Sequence, residues 1–211
     1  MKKILIFLFS LFLLSSPSVF ADDISDFQIE GMSIGDSLLD YMTDDEILAG
    51  IELTKNDYIY LVEPHKYSEV YSNNRLEKKF TTYDYLSFYV LNNTTNKYLS
   101  NKNEKFKIRS IRGFIRYVEE FQSCIQKQQE IAEVLSKMFP SAETDIWEGT
   151  HIIDPSGKSK TKNITLYIEP NLIDLQCSDY EENFRIERNY SEGFSISLNT
   201  KALIEWGSDF K

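Results

Sequence analysis

Histidine, cysteine and tryptophan are nearly missing from this chain, with two of each among 211 residues. The histidines, His65 and His151, stand 86 positions apart in neither an H-E-x-x-H nor an H-x-H pattern. The motifs that mark zinc chemistry on paired imidazoles are therefore missing. Glycine and proline are also scarce, eight and five residues. No low-complexity linker divides the chain, and no internal repeat is visible. Basic residues are in deficit, 23 Lys and Arg against 33 Asp and Glu, for a net charge of −10. Nucleic acid draws its affinity from neutralised phosphates, so it is not an expected partner. An anionic membrane surface is excluded for the same reason.

Long apolar runs are absent after the first 14 residues. Those residues read as a leader. Lys2 and Lys3 precede the apolar stretch Ile4 to Leu14. Pro17 follows, and then the small-residue pattern Val19-Phe20-Ala21 ahead of Asp22. This is the layout of a secretory signal peptide cleaved after Ala21. Eleven helical residues rise only about 16 Å, roughly half a bilayer core, so the segment is no membrane span. The expected product is an exported protein, periplasmic or secreted, with no integral membrane segment. Losing Lys2 and Lys3 takes its charge from −10 to −12. The short lysine leader and the abundance of residues with AT-rich codons point to a bacterium.

Residues 22–211 suit one domain. Export makes a Cys124–Cys177 disulfide the default. Closing a loop of that size is worth about 4 kcal/mol in the chain-entropy model.

The clearest element is a helix over 118–139. Val118, Phe121, Ile125, Ala132, Leu135 and Phe139 recur at three or four residues, and Pro140 stops it. Cys124 lies on this apolar stripe. Earlier, a short strand is expected over 27–30 and a short helix from Asp36 or Ser37 to Met42. A capping box at Thr43-Asp44-Asp45-Glu46 opens a helical turn ending near Gly50. Strand patterns cover 58–63, 83–91 and 106–118, the last with a bulge expected at Gly113. Further short strands are expected over 146–153, 163–169, 172–178, 184–189 and 194–198. Asn199 or Thr200 then caps a last helical stretch. Sequential strands with tight turns favour antiparallel pairing. The expected fold is α+β, a mainly antiparallel sheet with one long helix packed on it and short helices near both ends.

Gly31-Met32-Ser33-Ile34-Gly35 matches G-x-S-x-G, which makes Ser33 the one candidate nucleophile. The strands that build the sheet under such an elbow are missing before it, and no oxyanion sequence is present. A glycine-flanked turn explains the residues with less. Gly157-Lys158-Ser159 resembles the end of a phosphate loop, but Ile152 stands where its first glycine belongs. Asp154 and Pro155 also occupy positions that should present N–H groups. No cofactor or metal is expected.

Lys105, Lys107, Arg109, Arg112 and Arg116 are the one basic concentration in an acidic chain. Arginine suits bidentate recognition of carboxylate or phosphate. Arg109, Arg112 and Arg116 are therefore a candidate anion-binding set. Arg112 and Arg116 share a strand face, and Arg109 joins them only where the strand bends. The alternative is pairing with the protein's own acids, such as Glu181, Glu182 and Glu187.

The stretch 27–47, through Gly31, Gly35, Ser37 and Leu38, resembles the opening of small exported α+β proteins of the BamE and β-lactamase-inhibitor-protein-like kind. That resemblance implies a non-enzymatic envelope or protein-binding role. The sequence as a whole points the same way, to an exported binding protein for an unknown protein or an anionic small molecule. The alternatives are a secreted hydrolase using Ser33 and a structural component of the cell envelope.

Overall fold

A computed structural model describes residues 23–57, 66–73, 80–91 and 105–209. The leader, the strand expected over 58–63 and His65 lie outside the described residues. Seven strands form one antiparallel sheet: β1 (Tyr67–Asn73), β2 (Tyr85–Leu91), β3 (Ile108–Arg116), β4 (Glu143–Thr150), β5 (Lys160–Ile168), β6 (Asn171–Asp179) and β7 (Gly193–Asn199). Their order is β1-β2-β3-β7-β6-β5-β4. Two three-stranded meanders thus meet at a seam, and the last strand fills it. β7 pairs antiparallel with β3 on one side and with β6 on the other. Gly193 begins β7 at φ 147°, where a Cβ would collide with the Ile115 carbonyl, so the seam admits only glycine there.

Alternation decides which face is covered. Leu86, Phe88 and Val90 of β2, Phe194, Ile196 and Leu198 of β7, and Ile173, Leu175 and Cys177 of β6 are buried together. The helix α2 (Phe121–Met138) packs on β5, β6 and β7. It runs about 27 Å, so it spans one half of the sheet rather than the whole. The other half is covered from the opening segment, where Ile24, Ile29, Met32, Leu38 and Ile47 join the same core. α1 (Asp44–Thr54) lies on β1. Its Gly50 is required by that packing, since a Cβ there would meet Val70 Cγ1 at 2.7 Å and the Tyr71 carbonyl at 3.1 Å.

Two ties pin α2 to the sheet. Cys124 and Cys177 form a disulfide with a Cα–Cα distance of 5.9 Å, fully buried. One turn later Gln128, also fully buried, donates from Nε2 to the carbonyls of Lys162 and Leu175, each at 2.8 Å.

The α+β class, the antiparallel sheet and the long helix on it are as expected, and the Thr43–Glu46 capping box is present with both bonds. Several local expectations are corrected. Residues 27–30 make no strand. They enter a tight turn, closed by the Ile29–Met32 bridge, with Glu30 and Gly31 both at positive φ. α1 runs past Gly50 to Thr54 because packing on β1, not termination, explains that glycine. The bulge in β3 falls at Arg109, where the pairing slips between Tyr89–Ser110 and Val90–Ile108, while Gly113 stays in register. Glycine is needed at 113 because the Tyr83 ring would lie 2.6 Å from a Cβ. The 184–189 strand is instead the helix α3 (Glu182–Arg188), with Glu181 accepting from Phe184 N–H and Asn189 closing it in the left-handed region. α4 (Lys201–Ser208) follows Thr200 as expected.

Candidate functional site

The sheet's second face is polar at its centre. Period-two alternation and the pairing register place Ser87, Arg112, Ser197, Asp174 and Thr165 in one cross-strand row. The neighbouring row holds Glu69, Tyr89, Ser110 and Asn199. Short helices and aromatic rings frame this face. Trp206 of α4 packs on Tyr67 at 5.1 Å between ring centroids and on Tyr89 at 6.4 Å. Tyr180, Phe184 and Tyr190 cluster at the opposite end, beside α3. Between them lies a trough of about 190 Å³.

Arg112 is the exposed cation of this trough. Its Nη2 donates to Ser195 Oγ at 3.3 Å. That bond carries the guanidinium from β3 over onto β7. Two carboxylates line the same trough, Glu69 on β1 and Asp174 on β6. Neither comes within ion-pair distance of Arg112, though the charge of Arg112 acts on both. Burial pushes the Glu69 carboxyl above its ordinary range, against the opposing pull of the Tyr89 hydroxyl at 3.2 Å and of Arg112. Burial likewise pushes Asp174 up, although Thr165 Oγ1 donates to its Oδ1 at 2.8 Å and Arg112 lies nearby. The serines are partly engaged. Ser110 donates to Asn199 Oδ1 at 2.8 Å, and Asn199 Nδ2 donates to Ser197 Oγ at 3.1 Å.

The three arginines of the sequence reading do not meet. Arg112 lines the trough. Arg116 shares its strand face, and both act on the phenol of Tyr85, which burial pushes up to about 12. The backbone N–H of Arg116 donates to Asp84 at 2.7 Å. Arg109 is the bulge residue and does not line the trough, and its Nε is buried without a hydrogen-bond partner. The acids that face Arg112 are Glu69 and Asp174, not Glu181, Glu182 or Glu187. Glu69, Asp174 and the serine ladder were missed by sequence reasoning. Their signal was the alternation Ser195-x-Ser197-x-Asn199 on β7 and Asp174-x-Gln176 on β6, a polar stripe at period two.

Ser33 sits in the turn between Gly31 and Gly35, which have φ of 80° and 95°. It is 8% exposed, and its N–H donates to Asp36 Oδ2 at 2.9 Å. Among the described residues no hydrogen bond joins it to a histidine. His151 instead lies beside Tyr180, with Nε2 3.4 Å from the phenol oxygen. The Asp154–Ser159 turn wraps its own carboxylate. Asp154 accepts from the N–H and hydroxyl of both Ser156 and Ser159, between 2.7 and 2.9 Å. The N–H groups of Ser156 and Ser159 are therefore committed internally. Among the described residues no group of three or more His, Cys, Asp or Glu is placed to hold a metal ion. None of their helices is long and apolar enough to cross a membrane.

Comparison with known proteins returned no matching family model, curated protein or solved structure.

Proposed function

We propose that the protein is an exported, non-enzymatic binding protein that holds a small anionic molecule on the open face of its sheet, over Arg112. One observation carries this reading. Among the described residues, Arg112 is an exposed guanidinium at the centre of a polar concavity, with one protein hydrogen bond and no carboxylate at ion-pair distance. Arginine offers five donors in a fixed fork, so most of its capacity remains for a planar anion. The serine and amide groups beside it supply shorter-range selectivity. The buried disulfide supports an oxidising compartment.

The test is a titration with phosphate, sulfate, acetate and alanine while thermal unfolding is followed. A ligand at about 100 times its Kd adds about 2.7 kcal/mol of stability. At least one anion should give a saturable shift that Arg112→Gln abolishes. No shift with any of them, or an equal shift in Arg112→Gln, would retire the site.

A further inference from the structure

A cation and an anion face each other across this trough without closing into a pair. The Arg112 guanidinium has leaned over β7 to reach Ser195 Oγ at 3.3 Å. It has therefore crossed one strand toward β6, to the pair Ser195–Gln176, one step along the same face from the pair Ser197–Asp174. Adjacent strands lie about 4.8 Å apart. The remaining gap runs diagonally, one strand across and two residues along, and it exceeds the 4.0 Å of an ion pair, since no such pair forms. Asp174 Oδ1 is held by Thr165 at 2.8 Å, while Oδ2 receives no hydrogen bond from the described residues. Ser197 stands between the two residues in the pairing register. Its Oγ accepts from Asn199 at 3.1 Å, so its own proton remains to donate. Glu69, the second acid, is engaged differently, because the Tyr89 hydroxyl already binds Oε2 at 3.2 Å.

We infer that the ligand is a small zwitterion of the amino-acid type, its carboxylate on the Arg112 guanidinium and its ammonium on Asp174, with Ser197 beneath. This rests on the binding reading above, keeps its anionic group on Arg112 and adds a cationic one. A simple anion would satisfy Arg112 but would add negative charge beside two carboxylates. A simple cation would meet Asp174 but would be repelled by Arg112. Only a molecule carrying both charges a few ångströms apart meets each group with its complement. The trough, at about 190 Å³, limits the ligand to a small side chain. The raised carboxyl of Asp174 fits this arrangement, since a buried carboxylate gains most from a cation delivered to it.

The experiment is calorimetric titration of the purified protein with alanine, with propionate, which lacks its ammonium, and with ethylammonium, which lacks its carboxylate. Alanine should bind at least about tenfold more tightly than either singly charged probe, the loss expected for one charge-assisted hydrogen bond. Asp174→Asn should erase the preference of alanine over propionate while leaving propionate affinity unchanged or higher, since it removes a negative charge beside the site. Arg112→Gln should remove both ligands, and Arg112→Lys, which keeps the charge, controls for a folding defect. Propionate binding as tightly as alanine, or a preference unchanged by Asp174→Asn, would overturn the zwitterion while leaving the anion site standing. Binding of phosphate or sulfate alone would do the same. Loss of all binding in the wild-type protein would sink both.

Discussion

Reducing or removing the Cys124–Cys177 bond is the perturbation whose size can be worked out most directly. The bond joins α2 to β6 across a separation of 53 residues. In the chain-entropy model, closing that loop in the unfolded state is worth about 4 kcal/mol at 25 °C. Both cysteines are fully buried, so a Cys124→Ala, Cys177→Ala variant also leaves the volume of two sulfur atoms unfilled, roughly another 1 kcal/mol. Gln128, one turn along the helix, keeps its two bonds to the sheet in that variant, so α2 should stay docked. The expected outcome is a native-like fold destabilised by about 4–5 kcal/mol. At roughly 2–4 °C per kcal/mol for a domain of this size, the melting temperature should fall by about 8–20 °C. Thermal and denaturant unfolding of the oxidised protein, the reduced protein and the double variant measures this. The reduced protein should lie close to the double variant. A loss below about 1 kcal/mol would show that α2 is held by packing and Gln128 alone, and that the loop argument fails here.

Four further outcomes follow from single residues. Gly50→Ala should destabilise by about 1–2 kcal/mol in denaturant unfolding, because the Val70 and Tyr71 contacts at 2.7 and 3.1 Å outweigh the gain in helix propensity. Gly207→Ala, in a helical position with nothing within 4 Å, should instead stabilise by up to about 1 kcal/mol. Burial works to raise the Asp154 carboxyl, but the hydrogen bonds from Ser159 and Ser156 outweigh it and hold the group well below its ordinary range. Its stabilisation is therefore complete above the ordinary value of about 3.9 and is lost as pH falls through the depressed one. Thermal scans from pH 6 to 2 should show a gap between wild type and Asp154→Asn that narrows below about pH 4. The sign reverses for Asp174. Its raised carboxyl means that folding favours the protonated form, so ionisation costs stability as pH rises from the ordinary value toward the raised one. Asp174→Asn should melt higher than wild type at pH 7, with the difference vanishing in acid. A lower melting temperature at pH 7 would contradict it.

Local signals made much of the fold legible. The stripe from Phe121 to Phe139 is carried by side chains of α2 and its C-cap alone, and periodicity reads it. The hairpins were visible because their turn residues are local. α3 was misread for a physical reason: Phe184 and Ile186 alternate with charged neighbours as a strand would. Its helical state is set by the Glu181 cap and the Asn189 stop. The bulge was misplaced because glycine is needed at 113 for the Tyr83 ring, not for the slip in pairing. The site was the least legible part. Glu69, Arg112, Asp174 and Ser197 come from four strands, and the two meanders meet only when β7, near the end of the chain, inserts between them. No window of sequence holds that information. What the sequence did carry was the excess of arginine on β3, of which Arg112 alone lines the trough.

The central claim is that ligands dock on the open face over Arg112. Amide chemical-shift mapping during titration with alanine tests it most directly. The account expects perturbations concentrated on β3, β7 and β6 at Arg112, Ser195, Ser197 and Asp174, with α2 and the Ser33 turn unmoved. Saturable shifts centred on Ser33, or on the exposed face of α2, with none in the central row would contradict it.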